Sequence, residues 1–292
     1  MKRSHISHLL EINLAMVFVG TSGALGRYVD LPVPVTIASR GILAFLALLL
    51  FCKWKGISLG IGSKHRGIVF LSGILMGLHW ITYFYALQWS SVAIGMLSLF
   101  TYPVITAFLE PFVLKTKFEK THLLLGFMVL CGIYFLSPDF NLEDSNTLAI
   151  GIGVFSAFCY ALRNLILKAK VTDFHGSTLM VYQTGIIGIL LLPAFYFVDI
   201  NIVFSQWKGL LALAIITTAI GHTLFLMTFK HFSITTVSIL SSIQPVYGIV
   251  IGAFFLKEIP ELTTVFGGIL ILGSVVIESF RSSKKKTLSP VE

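Results

Sequence analysis

Apolar and polar positions along this chain alternate in blocks rather than along faces. Long runs rich in Leu, Ile, Val and Phe are separated by short polar or turn-like links such as DLPVP, QWSS and KEIPEL. Ten runs are legible, at 9–29, 35–52, 67–87, 92–114, 121–137, 148–168, 177–198, 208–228, 234–256 and 263–280. At roughly 20 residues per crossing, each is long enough to span a bilayer. Inside lipid no water satisfies the backbone, so such spans are helical. The predicted fold class is an all-α polytopic membrane protein of ten transmembrane helices, with short links making neighbours antiparallel.

The blocks also repeat. A displacement of 142 positions sets Pro103 on Pro245, Ser91 on Ser233, Lys115 on Lys257, Glu119 on Glu261 and Thr121 on Thr263. The chain therefore divides into a first half, 1–140, and a second, 141–292, joined by the polar, acidic stretch SPDFNLEDSNT at 137–147. Five spans per half is an odd number, so the second copy enters the membrane from the opposite side. That is an inverted repeat, a layout in which solute sites of secondary transporters lie near the midplane between the halves. Basic residues agree with this threading. With the N-terminus inside, sixteen Lys and Arg fall in inner loops and tails, and three (Arg27, Lys208, Lys257) fall outside. The positive-inside rule then puts both termini in the cytoplasm, the linker outside, and the chain in the cell (inner) membrane.

Composition sharpens the class. Only 12% of residues are charged and 56% are hydrophobic, with a mean hydropathy of +0.90. A soluble domain carries about 25% charged residues, so nothing is left over for a water-soluble unit. The net charge of +8 belongs to inner loops and the RSSKKK tail, which argues for topology anchoring and against nucleic acid. Cys52, Cys131 and Cys159 lie in apolar runs without metal-ligand spacing. No phosphate loop, HExxH or paired intramembrane aspartate is present, so neither a cofactor nor a catalytic set is expected.

Several stretches are familiar. Span 2 begins PVTIASRGILAFLAL, with an arginine among apolar residues, and span 3 carries GLHWITYFYAL before an uncharged turn. The second half closes with SILSSIQPVYGIVIGAFFLKEIPELTTVFGGILILGSVVI, where Pro245 is followed by Glu258 at the helix end and then Gly267 and Gly268. Over nearly its whole length the chain resembles the EamA family of the drug/metabolite transporter superfamily. The first half departs from the pattern, with Thr116 where the second has Glu258 and Glu119 three residues later. The resemblance implies two five-helix inverted bundles and the movement of small metabolites, often efflux of amino acids.

Ionisable groups within spans cost about 2.5–3.5 kcal/mol on insertion scales and so call for a reason. Arg40 in span 2 either snorkels to the interface or holds a solute carboxylate. Arg163 in span 6, beside Asn164, either snorkels or serves as a gate or solute contact. His79 and His222 lie near mid-span in the corresponding spans 3 and 8, one residue out of step with the repeat. They are packing groups or cavity lining. Tyr83, four residues from His79, shares its face, while Trp80 and Phe84 fall one position round, toward lipid or a neighbouring helix. Tyr102 and Gln244 immediately precede the paired prolines, which free an upstream carbonyl. Tyr160, one turn from Arg163, completes the candidate substrate-binding set. The expected activity is secondary transport of a small organic solute by alternating access, with export favoured and an uptake permease as the alternative. A membrane-embedded enzyme or receptor using the two histidines is the rival class. Expected partners are the solute and the lipid bilayer, and a monomer is compatible with this reading.

Overall fold

The structure is a computed structural model. It describes residues 5–287 apart from 116–117, 119, 137–140, 142, 169–173, 233–236 and 238–239, and for 5–7, 9, 114 and 278–287 it describes the backbone alone. Thr116, Glu119, Ser233, residues 137–140 and 142 of the expected linker, and the side chains of the RSSKKK tail thus lie outside the described residues.

Every regular element among the described residues is helical: α1 His5–Tyr28, α2 Val33–Trp54, α3 Ser63–Trp89, α4 Val92–Leu99, α5 Tyr102–Leu114, α6 Thr121–Leu136, α7 Ser145–Lys168 and α8 Gly176–Leu191, which tightens into a 3-10 stretch at Leu192–Phe197. Then come a short α9, Ile200–Ser205, and a continuous rod of α10 (Trp207–Ala212), a π-helix (Leu213–His222) and α11 (Thr223–Thr228). The last two are α12, Gln244–Leu256, and α13, Leu262–Thr287. Six stretches are long and apolar enough to cross a membrane: Val33–Trp54, Ser63–Trp89, Val92–Val113, Ser145–Lys168, Gly176–Phe197 and Trp207–Thr228. Three apolar helices are shorter, Thr121–Leu136, Gln244–Leu256 and Leu262–Ile277. This is the build of a polytopic membrane protein.

Local chemistry sets the boundaries. Pro34 sits in the first turn of α2, where its missing N–H costs nothing. That helix ends at Gly56, whose φ of 63° suits a residue without a Cβ. Ser91 caps α4 by accepting the Ile94 N–H at 3.2 Å. His175 caps α8 by accepting the Ser177 N–H at 3.2 Å. Partial burial and the charge of Lys230 hold the His175 imidazole below its ordinary value, which keeps Nδ1 an acceptor.

The sequence reads 92–114 as one rod, but the rod is broken. Pro103 cannot donate to the Leu99 carbonyl, and the chain leaves helical geometry at Phe100–Thr101 before α5 begins. The same break precedes Pro245, where α12 starts after a turn at Ser242–Ile243. Both α5 and α12 have 13 residues and end on a left-handed lysine, Lys115 at φ 55° and Lys257 at φ 58°. These are the only positive-φ residues other than glycine among the described residues.

Helices pack in a definite pattern. α3 lies along α7, α2 along α8, α6 along α13, and α1 between α12 and the π-helix. Small residues let backbones meet. Gly20 and Gly248 bring α1 and α12 together, and a Cβ on Gly248 would stand 3.1 Å from the Gly20 carbonyl. At the α6–α13 crossing, a Cβ on Gly267 would come within 2.7 Å of the Gly132 carbonyl. Gly267→Val should therefore lower the melting temperature of the purified protein measurably, since overpacking costs about 1–3 kcal/mol. An unchanged thermal melt would mean that the crossing is looser than described.

Candidate functional site

The helices enclose a small central cavity. Its wall comprises Val19, Ser22, His79, Trp80, Tyr83, Leu99, Phe100, Tyr102, Tyr160, His222 and Gln244. The free volume is about 10 Å³, room for about one water, so the walls stand closed upon one another. Six of the eight residues singled out from sequence meet here: His79, Tyr83, Tyr102, Tyr160, His222 and Gln244. They come from α3, α5, α7, the π-helix and α12. The helix break ahead of Pro103 puts Leu99, Phe100 and Tyr102 in the wall.

One side of the cavity is an aromatic stack. The His79 ring lies 4.5 Å from Tyr160 and 5.9 Å from Tyr83, near parallel to both. Tyr160 meets Tyr102 edge-on at 5.0 Å and Phe225 face-on at 6.0 Å. Tyr102 ties the two halves together through a 2.5 Å hydrogen bond between its hydroxyl and Ser241. His79 Nδ1 lies 2.7 Å from Ser156 Oγ, and that hydroxyl donates to the His79 carbonyl at 2.9 Å. A serine has one proton to give, so Nδ1–H is the donor and Nε2 is left as the ring's acceptor. Ser156 was not singled out from sequence. Its signal is the α7 stripe Gly153, Ser156, Tyr160, Arg163 at helical spacing.

Charge lies behind the wall, since neither Arg40 nor Arg163 is among the lining residues. Arg40 and Arg163 are both 0% exposed, so neither side chain reaches a membrane boundary as snorkelling requires. Arg163 is supplied locally. Its Nε and Nη2 donate to Gln183 Oε1 at 3.2 and 2.7 Å, and its Nη1 donates to Asn164 Oδ1 at 2.9 Å. Arg40 is supplied only in part. Its Nε donates to Thr218 Oγ1 at 2.6 Å, and Thr218 in turn donates to the Leu213 carbonyl across one π-helical turn at 2.9 Å. Nη1 and Nη2 of Arg40 have no hydrogen-bond partner, and neither arginine has a carboxylate partner among the described residues. The Arg40 guanidinium carbon lies over the Trp80 ring, 3.9 Å from its centre, and the Trp80 and His222 rings lie 5.6 Å apart at a tilt of 52°.

That arrangement decides between lipid and a neighbouring helix for Trp80 and Phe84, in favour of the helix. They point inward and are 1% and 0% exposed. α3 is flanked by α7 and α8 and also by α1 and α2, so two adjacent faces are buried and neither meets lipid. Trp80 Nε1, Tyr83 OH and His222 Nδ1 also lack partners. Each buried polar atom left so costs roughly 1–3 kcal/mol.

Both ends of the bundle are tied. At one end Arg27 donates to Glu258 Oε1 at 2.9 Å and to the Leu87 and Gln88 carbonyls at 3.2 and 3.1 Å, while Glu258 Oε2 accepts the Val92 N–H at 2.9 Å. Alongside lies a polar recess of about 550 Å³, lined among others by Ser90, Ser91, Asn141, Asp144 and Glu261. At the opposite end Lys168 donates to the Phe229 and Phe232 carbonyls at 2.9 and 2.8 Å. Among the described residues no cluster of His, Cys, Asp and Glu is arranged to hold a metal ion, and the three cysteines are free.

Known proteins share this build. The chain is 28% identical over 267 residues to an uncharacterized transporter of Archaeoglobus fulgidus, covering 91% of this chain and 94% of that one. It is 22% identical to the pseudopaline exporter CntI of Pseudomonas aeruginosa, covering 83% and 84%. It is also 22% identical to the uncharacterized transporter YwfM of Bacillus subtilis, covering 95% of each. A crystal structure at 15% identity superposes with a TM-score of 0.69 over 96% of this chain and 99% of that one, which speaks for the fold alone. The model of the EamA-like transporter family matches twice, over 8–137 and 147–280. With nearly the whole length matched, the chain belongs to the EamA-like transporter family.

Proposed function

We propose that the protein is a secondary transporter that moves a small organic solute, such as an amino acid or related metabolite, through the central cavity by alternating access. Ten spans form two inverted five-helix halves, 1–140 and 141–292, with both termini in the cytoplasm. The observation that carries this reading is the correspondence between halves. α5 and α12 have one length, one proline position and one left-handed terminus. The packing of α3 on α7 has its counterpart in the π-helix on α1, and that of α1 on α12 has its counterpart in α7 on α4 and α5. Arg27 and Lys168 each cap carbonyls at the end of the third rod of one half. Two matched halves give a barrier that can form on either side of a midplane site.

In this mechanism the cavity is the solute site in its closed form. The Arg27–Glu258 tie bars the outer path and Lys168 the inner one. The imidazoles, tyrosines and Gln244 supply the few polar groups that orient a solute among apolar walls. Export is the favoured direction, supported by the relative named as an exporter. Counterflow of labelled solute in proteoliposomes tests the function. Accumulation of label against preloaded unlabelled solute is expected, whereas conversion to product without exchange would identify an enzyme.

A further inference from the structure

We propose that Arg40, together with Trp80, Tyr83 and His222, forms an anion-holding end of the solute site, so that the transported solute carries a carboxylate. The inference rests on the transporter reading and adds the solute's chemical class.

The two buried arginines differ in a way that selects one of them. All three guanidinium nitrogens of Arg163 have acceptors in neighbouring side chains. Arg40 spends only Nε, on Thr218, and keeps the paired Nη1 and Nη2 unpartnered while fully buried. Those two nitrogens form the planar edge that a carboxylate meets with two parallel hydrogen bonds. Three further buried atoms without a partner, Trp80 Nε1, Tyr83 OH and His222 Nδ1, belong to the same cluster. Trp80 lies under the Arg40 guanidinium and against His222, and Tyr83 shares the cavity wall with both rings. Trp80 Nε1 and the Arg40 nitrogens can only donate, and Tyr83 OH and His222 Nδ1 are able to. A cluster of donors carrying one positive charge, with no carboxylate paired to it among the described residues, calls for an acceptor with negative charge. Trp80, Tyr83 and His222 are wall residues of the cavity, so the acceptor arrives by the solute path. Thr218 holds the guanidinium in register through the i, i−5 bond that only the π-helix offers.

The test is binding of matched acid and amide pairs (acetate and acetamide, benzoate and benzamide, succinate and succinamide) to the purified full-length protein, read by thermal shift and titration. In the wild type at least one acid should bind about tenfold or more tighter than its amide, as loss of a charge-assisted bidentate contact implies. The preference should vanish in Arg40→Gln and persist in part in Arg40→Lys. Should Arg40→Gln fail to fold, Thr218→Val takes its place, with a reduced preference expected. If no acid outbinds its amide in the wild type, or if these variants keep the full preference, the proposal is overturned. Counterflow separates this from the transport reading. Exchange of a neutral solute, equal in wild type and Arg40→Gln, would sink the anion site and leave transport standing. Acid-selective binding without any exchange would do the reverse.

Discussion

Trp80→Leu should lower apparent affinity for the solute about thirtyfold, at least as much as Tyr83→Ala does. Trp80 is both a wall of the cavity and the plate on which the Arg40 guanidinium rests at 3.9 Å. A desolvated cation–π contact is worth about 2 kcal/mol, which converts to roughly that factor. Trp80→Phe keeps a ring beneath the charge and loses Nε1, so it should fall between leucine and wild type. Uptake kinetics in proteoliposomes, with folding checked by gel filtration, provide the measurement. If Trp80→Leu transports with wild-type affinity while Tyr83→Ala does not, the Arg40–Trp80 side of the cavity is packing alone.

Glu258→Gln should shift the resting balance toward an outward-facing form by about five- to tenfold. Glu258 is the shared acceptor of Arg27 Nε and the Val92 N–H, and so bolts the ends of α1, α4 and α12 together. The pair is partly exposed, which discounts it to roughly 1 kcal/mol, and that still moves a near-balanced equilibrium visibly. Glutamine keeps an acceptor for Val92 but loses the charge facing Arg27, so a shift in this variant reports the ion pair and not the helix cap. Double electron–electron resonance distances across the outer recess should broaden or lengthen. Unchanged distances would make the tie incidental to gating.

The sequence carries much of this architecture because lipid leaves it few choices. Long apolar runs become helices, although α2 starts at Val33 and takes Pro34 from the DLPVP link into its first turn. The proline pairing marks both broken rods, although the break itself comes only from seeing Leu99 lose its donor. His79, Tyr83, Tyr102, Tyr160, His222 and Gln244 gather at one cavity, and the repeat is what makes positions so far apart in sequence comparable. Other features escape a one-dimensional reading. For Trp80 the sequence leaves lipid and a neighbouring helix open, and only the packing around α3 decides between them. Ser156 is one serine among many until the His79 carbonyl and ring are seen on either side of it. The π-helix at Leu213–His222 has no compositional mark. Arg40 and Arg163 look alike in sequence and separate only by which nitrogens already have partners.

Alternating access itself is tested most directly by a single cysteine at Ser22, a small residue in the cavity wall on α1, in a background lacking Cys52, Cys131 and Cys159. An impermeant maleimide is applied to right-side-out and to inside-out vesicles, with and without Glu258→Gln or Lys168→Gln. The account predicts that Ser22→Cys labels slowly from both sides, that Glu258→Gln speeds labelling from outside only, and that Lys168→Gln speeds it from inside only. Labelling confined to one side in every background, or sped from both sides at once by either change, would contradict it.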